Sequence, residues 1–446
     1  MLMRKIIYAV FVVHLLFLAY LNNFYFAGLP VRSLLILLVG GMIIFYQPRI
    51  LTELQPVNTV YLLLAIYGVV ISVLNGVTVG GIAGGELKLL QSYLVILSAY
   101  FVVRELGFRH LALAFLIIGI PSAIVGILQG IDLHAAWNLQ EALMNLQNKE
   151  ISEEIQSQIT EALARPPGLA LYAIPQTYML LAAMIFSAYL VLGKTTSRIE
   201  QVLLLVVNAL LLGGIAASET RSAIGAGLLI LGFVYLYRFP RLTVIFGTVV
   251  VALGVVLWLV KSGQMLDSRL VSLDDQSAQG RKTLYKFGIE LFIQHPFGYG
   301  FNFDSVQYAQ TYFINSEPFF DYEPDEKAHY IVPVHNSILN IVHTYGFAGL
   351  LILFYYLSRL VDGFWYRYVF MGASLFNSAF HNAGIMTGDL FIDVVIGAML
   401  YESWLSRQPL LTGQHALYDR NPPTVQTASA PEPGVGVMPE SRPLPM

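Results

Sequence analysis

Polar punctuation divides this chain into long apolar runs. Runs long enough to cross a bilayer's ~30 Å hydrocarbon core fall near 6–26, 31–47, 57–75, 86–104, 110–130, 169–192, 200–217, 221–237, 243–260, 335–357, 365–382 and 387–405. The pattern predicts an all-α polytopic membrane protein of about twelve transmembrane helices, with one large outer, periplasmic loop between the ninth and tenth. Gly40-Gly41, Pro121, Pro175 and Gly213-Gly214 inside the runs fit kinked, closely packed helices. The organisation that follows is 1–130 for helices one to five, 131–168 for an outer segment, 169–260 for helices six to nine, 261–334 for the large loop, 335–407 for the last three helices and 408–446 for a tail. Within the outer segment, Leu139, Leu143, Leu146, Ile151, Ile155, Ile159 and Leu163 interleave with Glu141, Glu150, Glu153, Glu154 and Glu161. Residues 139–164 therefore read as an amphipathic helix lying over the bundle or on the membrane. The large loop is too polar for burial and too long for a connector, and its Tyr and Phe content argues for order. The tail, rich in Pro, Ala, Thr and Ser, reads as disordered.

Composition agrees with the pattern: of 446 residues 56% are hydrophobic and 12% charged, and the mean hydropathy is +0.65, which a soluble globule does not carry. A net charge of −3 gives no reason to expect a nucleic-acid partner. With no cysteine, disulfides, thiol nucleophiles and thiolate metal sites are excluded. Short-loop basic residues orient the chain. Arg4/Lys5, Arg49, Arg104/Arg109, Lys194/Arg198, Arg238/Arg241, Arg359/Arg367 and Arg407 all fall on one side, which is then cytoplasmic. Both termini lie there too, and the run after Arg4-Lys5, with no small-residue cleavage site behind it, reads as a retained first helix.

The opposite, outer face collects the residues that could carry chemistry. His335 stands where the polar loop ends and an apolar helix begins, just after Pro333. An imidazole at a helix N-terminus is disfavoured as a cation, so it stays neutral and able to accept a proton. Arg221 follows Ser218-Glu219-Thr220 at a helix start, where pairing with Glu219 or snorkelling is the plain alternative to a ligand. Arg281, after Gln279-Gly280, leads an amphipathic stretch with Leu284, Phe287, Ile289, Leu291 and Phe292, and taken alone is an ordinary solvated charge. Two guanidinium groups beside a neutral imidazole suit a diphosphate leaving group and a proton acceptor. His343, Asn336 and Asn340 share a helical face and could simply bridge neighbouring helices; His381, Asn382, Asp389 and Asp393 could line the same cavity. There is no Asp-x-Asp in the first outer loop, no Walker motif, no GxGxxG after a strand and no GxSxG, so the sequence requires no metal or cofactor.

These residues stand in motifs: Arg165-Pro-Pro-Gly168-Leu before a span, Ser218-Glu-Thr-Arg221-Ser-Ala, Gly280-Arg281 leading to His295-Pro-Phe-Gly-Tyr-Gly300-Phe-Asn302, and Pro333-Val-His335-Asn336-Ser-Ile-Leu339 running into Tyr345-Gly346-Phe-Ala-Gly349-Leu. In their order and shared outer placement the chain resembles the O-antigen ligase and O-antigen polymerase (Wzy-type) superfamily of bacterial membrane glycosyltransferases, over 160–360 in motif and over the whole chain in topology. The resemblance implies inverting, metal-independent transfer of an undecaprenyl-diphosphate-linked glycan at the outer face of the bacterial cytoplasmic (inner) membrane. It implies that Arg221 and Arg281 hold the diphosphate and that His335 assists or deprotonates the acceptor hydroxyl. Asn336, Arg165, Lys282, Tyr299 and Asn302 are then expected substrate contacts. Arg165-Pro-Pro-Gly departs from the family pattern, since Ile174-Pro175-Gln176 stands where members often carry Gly and Asn-Pro.

The implied partners are the lipid-linked donor, a glycan or lipid-linked glycan acceptor, the bilayer and other polysaccharide-assembly proteins. Ligase and polymerase differ in acceptor. Between 261 and 334 acidic residues outnumber basic ones, and a phosphate-rich lipid A–core would favour a basic rim, so the charge favours polymerisation of surface or exopolysaccharide repeat units. A ligase, or protein O-glycosylation, is the alternative. A lipid-linked sugar flippase or secondary carrier is the rival of another class. Against it stand the lack of an internal repeat, one dominant outer loop and no expected charge near the bilayer midplane.

Overall fold

The computed structural model describes residues 2–147, 165–193, 197–238, 276–323, 326, 330, 333–361 and 364–406. The expected span at 243–260, the stretch 148–164 and the tail 408–446 lie outside the described residues. Fifteen helices are described: α1 (Leu2–Tyr20), α2 (Val31–Tyr46), α3 (Ile50–Glu53), α4 (Gln55–Leu74), α5 (Val79–Leu106), α6 (Phe108–Gly130), α7 (His134–Asn145), α8 (Ala173–Leu192), α9 (Arg198–Ala217), α10 (Arg221–Arg238), α11 (Gln276–Gln294), α12 (Ser305–Asn315), α13 (Ser337–Leu360), α14 (Trp365–Ser378) and α15 (Leu390–Ser406). One small hairpin, β1 (Tyr25–Phe26) with β2 (Leu29–Pro30), joins α1 to α2. The protein is an all-α polytopic membrane protein. Among the described residues seven helices, α1, α4, α5, α6, α8, α9 and α13, are long and apolar enough to cross a membrane. The expected runs at 31–47, 365–382 and 387–405 are helical over only 16, 14 and 17 residues, and the run at 221–237 forms a helix of 18 residues that is less apolar, so seven of the eleven expected spans that fall on described residues are met by length and composition.

The bundle is built around α5, α8 and α15. Gly397 of α15 sits so close to α5 that an added Cβ would meet Ile96 O at 2.5 Å and Ala99 Cβ at 2.7 Å, the small-residue contact that lets membrane helices approach. Ionisable groups are buried as well: Arg367 is fully buried and binds Glu402 at 3.3 Å, and Asp393 is 1% exposed. Arg367 stands third in α14, and Asp393 and Glu402 stand within five residues of the two ends of α15, where groups buried against protein need not be exposed to lipid.

Two expected segments take different forms. The amphipathic segment begins earlier, as α7, and buries Ala136, Gln140 and Met144; of the anticipated apolar stripe Leu139 and Leu146 are exposed, Leu143 is half-buried, and Ile151, Ile155, Ile159 and Leu163 lie outside the described residues. Gln129 and Gln140 supply the reason: Gln129 Nε2 reaches Gln140 Oε1 at 3.3 Å and Ala136 O at 3.3 Å, so polar bonds select the inward face. The large loop is not wholly outside. It contains α11 and α12, and the residues between them enter the bundle. α13 breaks at Gly346 (φ 58°, ψ −152°), a conformation essentially confined to glycine. The break frees carbonyls and an N–H that the incoming loop satisfies: Tyr299 N donates to His343 O at 2.6 Å, Gly300 N to Thr344 O at 3.1 Å, and Phe347 N to Pro296 O at 2.8 Å. Non-helical backbone at membrane depth survives where protein groups pair it. Phe301 fills the space that Gly68 of α4 and Gly85 of α5 leave open.

Candidate functional site

Arg221 begins α10, His335 stands just before α13 and Arg281 lies in the N-terminal half of α11, and one short segment draws those helices together. Arg221 opens α10 after a turn in which Glu219 takes a positive φ of 54°; Ser218 Oγ donates to Ile215 O at 2.6 Å and Ile224 N to Thr220 O at 3.1 Å, which fixes the turn. Arg221 itself is exposed. Next to it, Ser222 is buried, its Oγ 3.0 Å from both Asn377 Oδ1 and His381 Nε2. A hydroxyl has one proton and the amide oxygen can only accept it, so His381 donates from Nε2. His335 stands two residues before α13. Its Nδ1 lies 3.0 Å from Asn382 Oδ1, a contact in which Nδ1 carries the proton and the amide oxygen accepts it. Asn340, on the first turn of α13, donates to Asn382 O at 2.9 Å. Arg281 lies one turn before Tyr285 on α11, and the Tyr285 hydroxyl donates to Ala379 O at 2.8 Å.

Residues 377–384 are therefore the common anchor. Through Asn377 and His381 they hold the start of α10, through Asn382 the imidazole of His335, and through Ala379 the helix that carries Arg281. Tyr178 of α8 completes the seat, donating to Ala383 O at 2.9 Å and standing edge-on to His381 with ring centroids 5.8 Å apart. Gly384 is required there, since a Cβ would meet Ser337 Oγ at 2.5 Å and Ser378 Cβ at 2.8 Å. Sequence reasoning named His381 and Asn382 only as candidates for the cavity, and it missed Ser222, Asn377 and the role of Tyr285. The signal was faint: neutral polar residues at the end of an apolar run, where hydrogen bonds between helices gather.

The remaining expected contacts divide. Asn336 is the N-cap of α13, its Oδ1 accepting from Ile338 N at 2.9 Å and Leu339 N at 3.1 Å, so this side chain satisfies two of the first N–H groups of the helix. Tyr299 is 6% exposed, stacks on Phe303 with centroids 3.9 Å apart and donates to Leu291 O at 3.0 Å, which places it in the core of the α11–α12 region. Asn302 is exposed beside the start of α5, and Lys282 is exposed on α11. Arg165 belongs to the stretch 165–172 that leads into α8, which Gln129 grips by accepting from Gly168 N at 2.8 Å and donating to Gly168 O at 3.1 Å. His343 bridges to α11, its Nε2 2.9 Å from Gly288 O, and Asp389 caps α15 by accepting from Phe391 N and Ile392 N. A cavity lined by Glu53, Val57, Tyr356, Arg359 and Trp404 opens at the opposite end of the bundle and takes no part in this cluster.

Beyond the α10–α11–α13 cluster, the region above the bundle is organised by Glu290. Its carboxylate is fully buried and accepts from Tyr312 Oη at 2.6 Å, Phe319 N at 2.7 Å, Phe320 N at 3.0 Å and Gln294 Nε2 at 3.2 Å. Burial alone would raise this carboxyl, but the hydrogen bonds outweigh it and hold the group below the ordinary glutamate range.

No curated protein and no solved structure matches the chain. Residues 206–354, which contain α10 with Arg221, α11 with Arg281 and the approach to α13 with His335, match the family model Wzy_C, described as O-antigen ligase, and this match supports the chain's place in the O-antigen ligase/polymerase superfamily.

Proposed function

We propose that the protein is an inverting, metal-independent glycosyltransferase at the outer face of the bacterial cytoplasmic membrane, moving an undecaprenyl-diphosphate-linked oligosaccharide onto a glycan acceptor and thereby polymerising repeat units. One observation carries the reading: the 377–384 segment fastens the elements that bear Arg221, Arg281 and His335 to a single place. In the reaction the acceptor hydroxyl oxygen attacks the anomeric carbon opposite the diphosphate, the carbon–oxygen bond to phosphate breaks, and its electron pair leaves with the diphosphate. His335 Nε2 takes the hydroxyl proton, with Asn382 holding the ring in the required tautomer. Arg221 and Arg281 stabilise the charge that develops on the leaving group. The acidic excess of 261–334 favours a repeat-unit acceptor over a phosphate-rich lipid A–core.

The test is transfer from an undecaprenyl-diphosphate donor by purified full-length protein in detergent with EDTA, offering lipid-linked repeat unit and lipid A–core separately. Laddered products from the repeat unit, reduced ~10²-fold to 10⁴-fold in His335→Ala, are expected. A single addition to lipid A–core would replace polymerase by ligase. Movement of lipid-linked sugar across vesicles with neither acceptor modified would replace the enzyme by a carrier.

A further inference from the structure

The turn between α11 and α12 has the depth of a membrane segment. Tyr67 of α4 donates its hydroxyl to Phe297 O at 2.9 Å, and Tyr67 lies seven residues inward from the end of α4 at Leu74, ~10 Å along the helix axis. The surface of α4 stays apolar and exposed all the way to that end, with Val70 49%, Val73 62% and Leu74 75% exposed. Lipid therefore reaches past the level of Phe297. Yet Phe297 is itself 72% exposed, and the residues one and two turns before it on α11, Ile293 and Ile289, are exposed too. Beside Phe297, across the break at Gly346, Phe347 is exposed, and Leu351 and Phe354 carry the same apolar face along α13, a helix long and apolar enough to span. At the other end of the α11 stripe stands the exposed Lys282, about two turns before Ile289.

We infer that the bilayer leaflet on the site side covers the C-terminal half of α11 and the turn that follows, with acyl chains against Ile289, Ile293, Phe297 and Phe347 and the ammonium of Lys282 among the lipid phosphates. Exposed Phe297 extends the apolar surface that exposed Ile293, Phe347 and the outer end of α4 already present. The gradient from a lysine to an aromatic along one helix face is the pattern of a helix anchored obliquely in an interface. α11 thus belongs to the membrane on one face and to the α12 region on the other, where Leu284, Phe287 and Leu291 are buried. The consequence is that the lipid sets the height of the helix on which Arg281 stands. This inference does not depend on the chemistry proposed for His335.

The chain has no cysteine, so single-cysteine variants of the full-length protein report one site each without background. Ile289→Cys, Ile293→Cys, Phe297→Cys and Phe347→Cys, with Gln307→Cys and Gln310→Cys on the exposed face of α12 as references, are reconstituted in phosphatidylglycerol/phosphatidylethanolamine vesicles. Each is reacted with a membrane-impermeant maleimide and, separately, with a fluorophore whose emission is quenched by phospholipid spin-labelled on its acyl chain. The first four are expected to lose reaction with the maleimide and to be quenched, while the α12 positions react and are not quenched. Reaction of Ile293→Cys and Phe347→Cys at the rate of Gln310→Cys would overturn the inference, as would protection without quenching, which would mean that a second copy covers the face. Four positions are used so that a variant failing to fold does not decide the outcome.

Discussion

At the end of the bundle away from the candidate site, Arg4 binds Glu105 at 2.8 Å, Arg104 binds Glu53 at 2.9 Å and Arg109 binds Glu200 at 3.1 Å. At the site end Ser222, Asn377, His381, Asn382, His335 and Asn340 are joined instead by hydrogen bonds among hydroxyl, amide, imidazole and carbonyl groups. The basic residues gathered at the first end are those whose short-loop placement oriented the chain. Arg109 meets water, where a paired charge costs little to hold, whereas Arg104 and Glu53 are largely shielded and each compensates the other's burial. A carboxylate among the links around His335 would compete with a phosphate for the same donors and would favour the charged imidazole. A network of amides, hydroxyls and carbonyls positions the ring without doing either. The comparison predicts that substitutions at the two ends fail differently.

The largest effect is expected where the site end depends on backbone rather than side chains. Gly346→Ala places a Cβ against the Pro296–Phe297 backbone and forces a glycine-only conformation on alanine, which costs on the order of 3 kcal/mol or more with the clash included. Thermal unfolding in detergent should show the loss, and protease should cut near 295–301. A variant that melts with the wild type would mean that the turn is not seated in the break.

Next comes the side chain that orients His335. Asn382→Ala is expected to lower turnover roughly 10-fold to 100-fold with unchanged melting, while Arg104→Ala at the opposite end should lower melting and leave turnover alone. Asn382→Asp adds a negative charge at Nδ1, favours the imidazolium and should move the acid limb of the turnover–pH profile upward. An unmoved profile, with His335→Ala inactive, would leave His335 in its role and remove Asn382 from it.

Glu290 tests whether a buried carboxylate on the site side behaves as a structural group. Its folded value lies below the ordinary one, so its contribution is complete above about pH 4.3 and is lost as pH falls through the folded value. Wild-type stability should therefore drop on acidification below that point. Glu290→Gln, which keeps the shape but weakens the bonds from Tyr312, Phe319 and Phe320, should cost about 1–3 kcal/mol at neutral pH and flatten the acid dependence.

What could be read from the residues follows the physics that leaves a periodic trace. Apolar runs marked α1, α4, α5, α6, α8, α9 and α13, because lipid solvation acts on every exposed position of a span. The motifs around Arg221 and His335 were visible as polar residues at the borders of such runs. The entry of 296–301 into the bundle was not, since it depends on one glycine breaking α13 and on carbonyls of His343 and Thr344 that no composition reveals. Nor was the anchor at 377–384, where the informative residues are an ordinary Asn377 and Asn382 at the end of α14. The inward face of α7 went to Gln140 rather than to Leu139 because paired glutamines outweighed the apolar stripe.

The smallest effect belongs to the end held by charge. Arg109 is 68% exposed and its pair with Glu200 is mostly solvated, so Arg109→Ala should change unfolding by less than about 1 kcal/mol, and less still at high salt. Arg104, 19% exposed and facing a Glu53 that also accepts from Tyr100 Oη at 2.9 Å, should cost more than Arg109, because its loss strands a carboxylate that is only 14% exposed. Neither should alter glycan transfer. A loss of turnover in Arg109→Ala without a loss of stability would couple the two ends, and the hydrogen-bond network around His335 could then no longer be treated as self-contained.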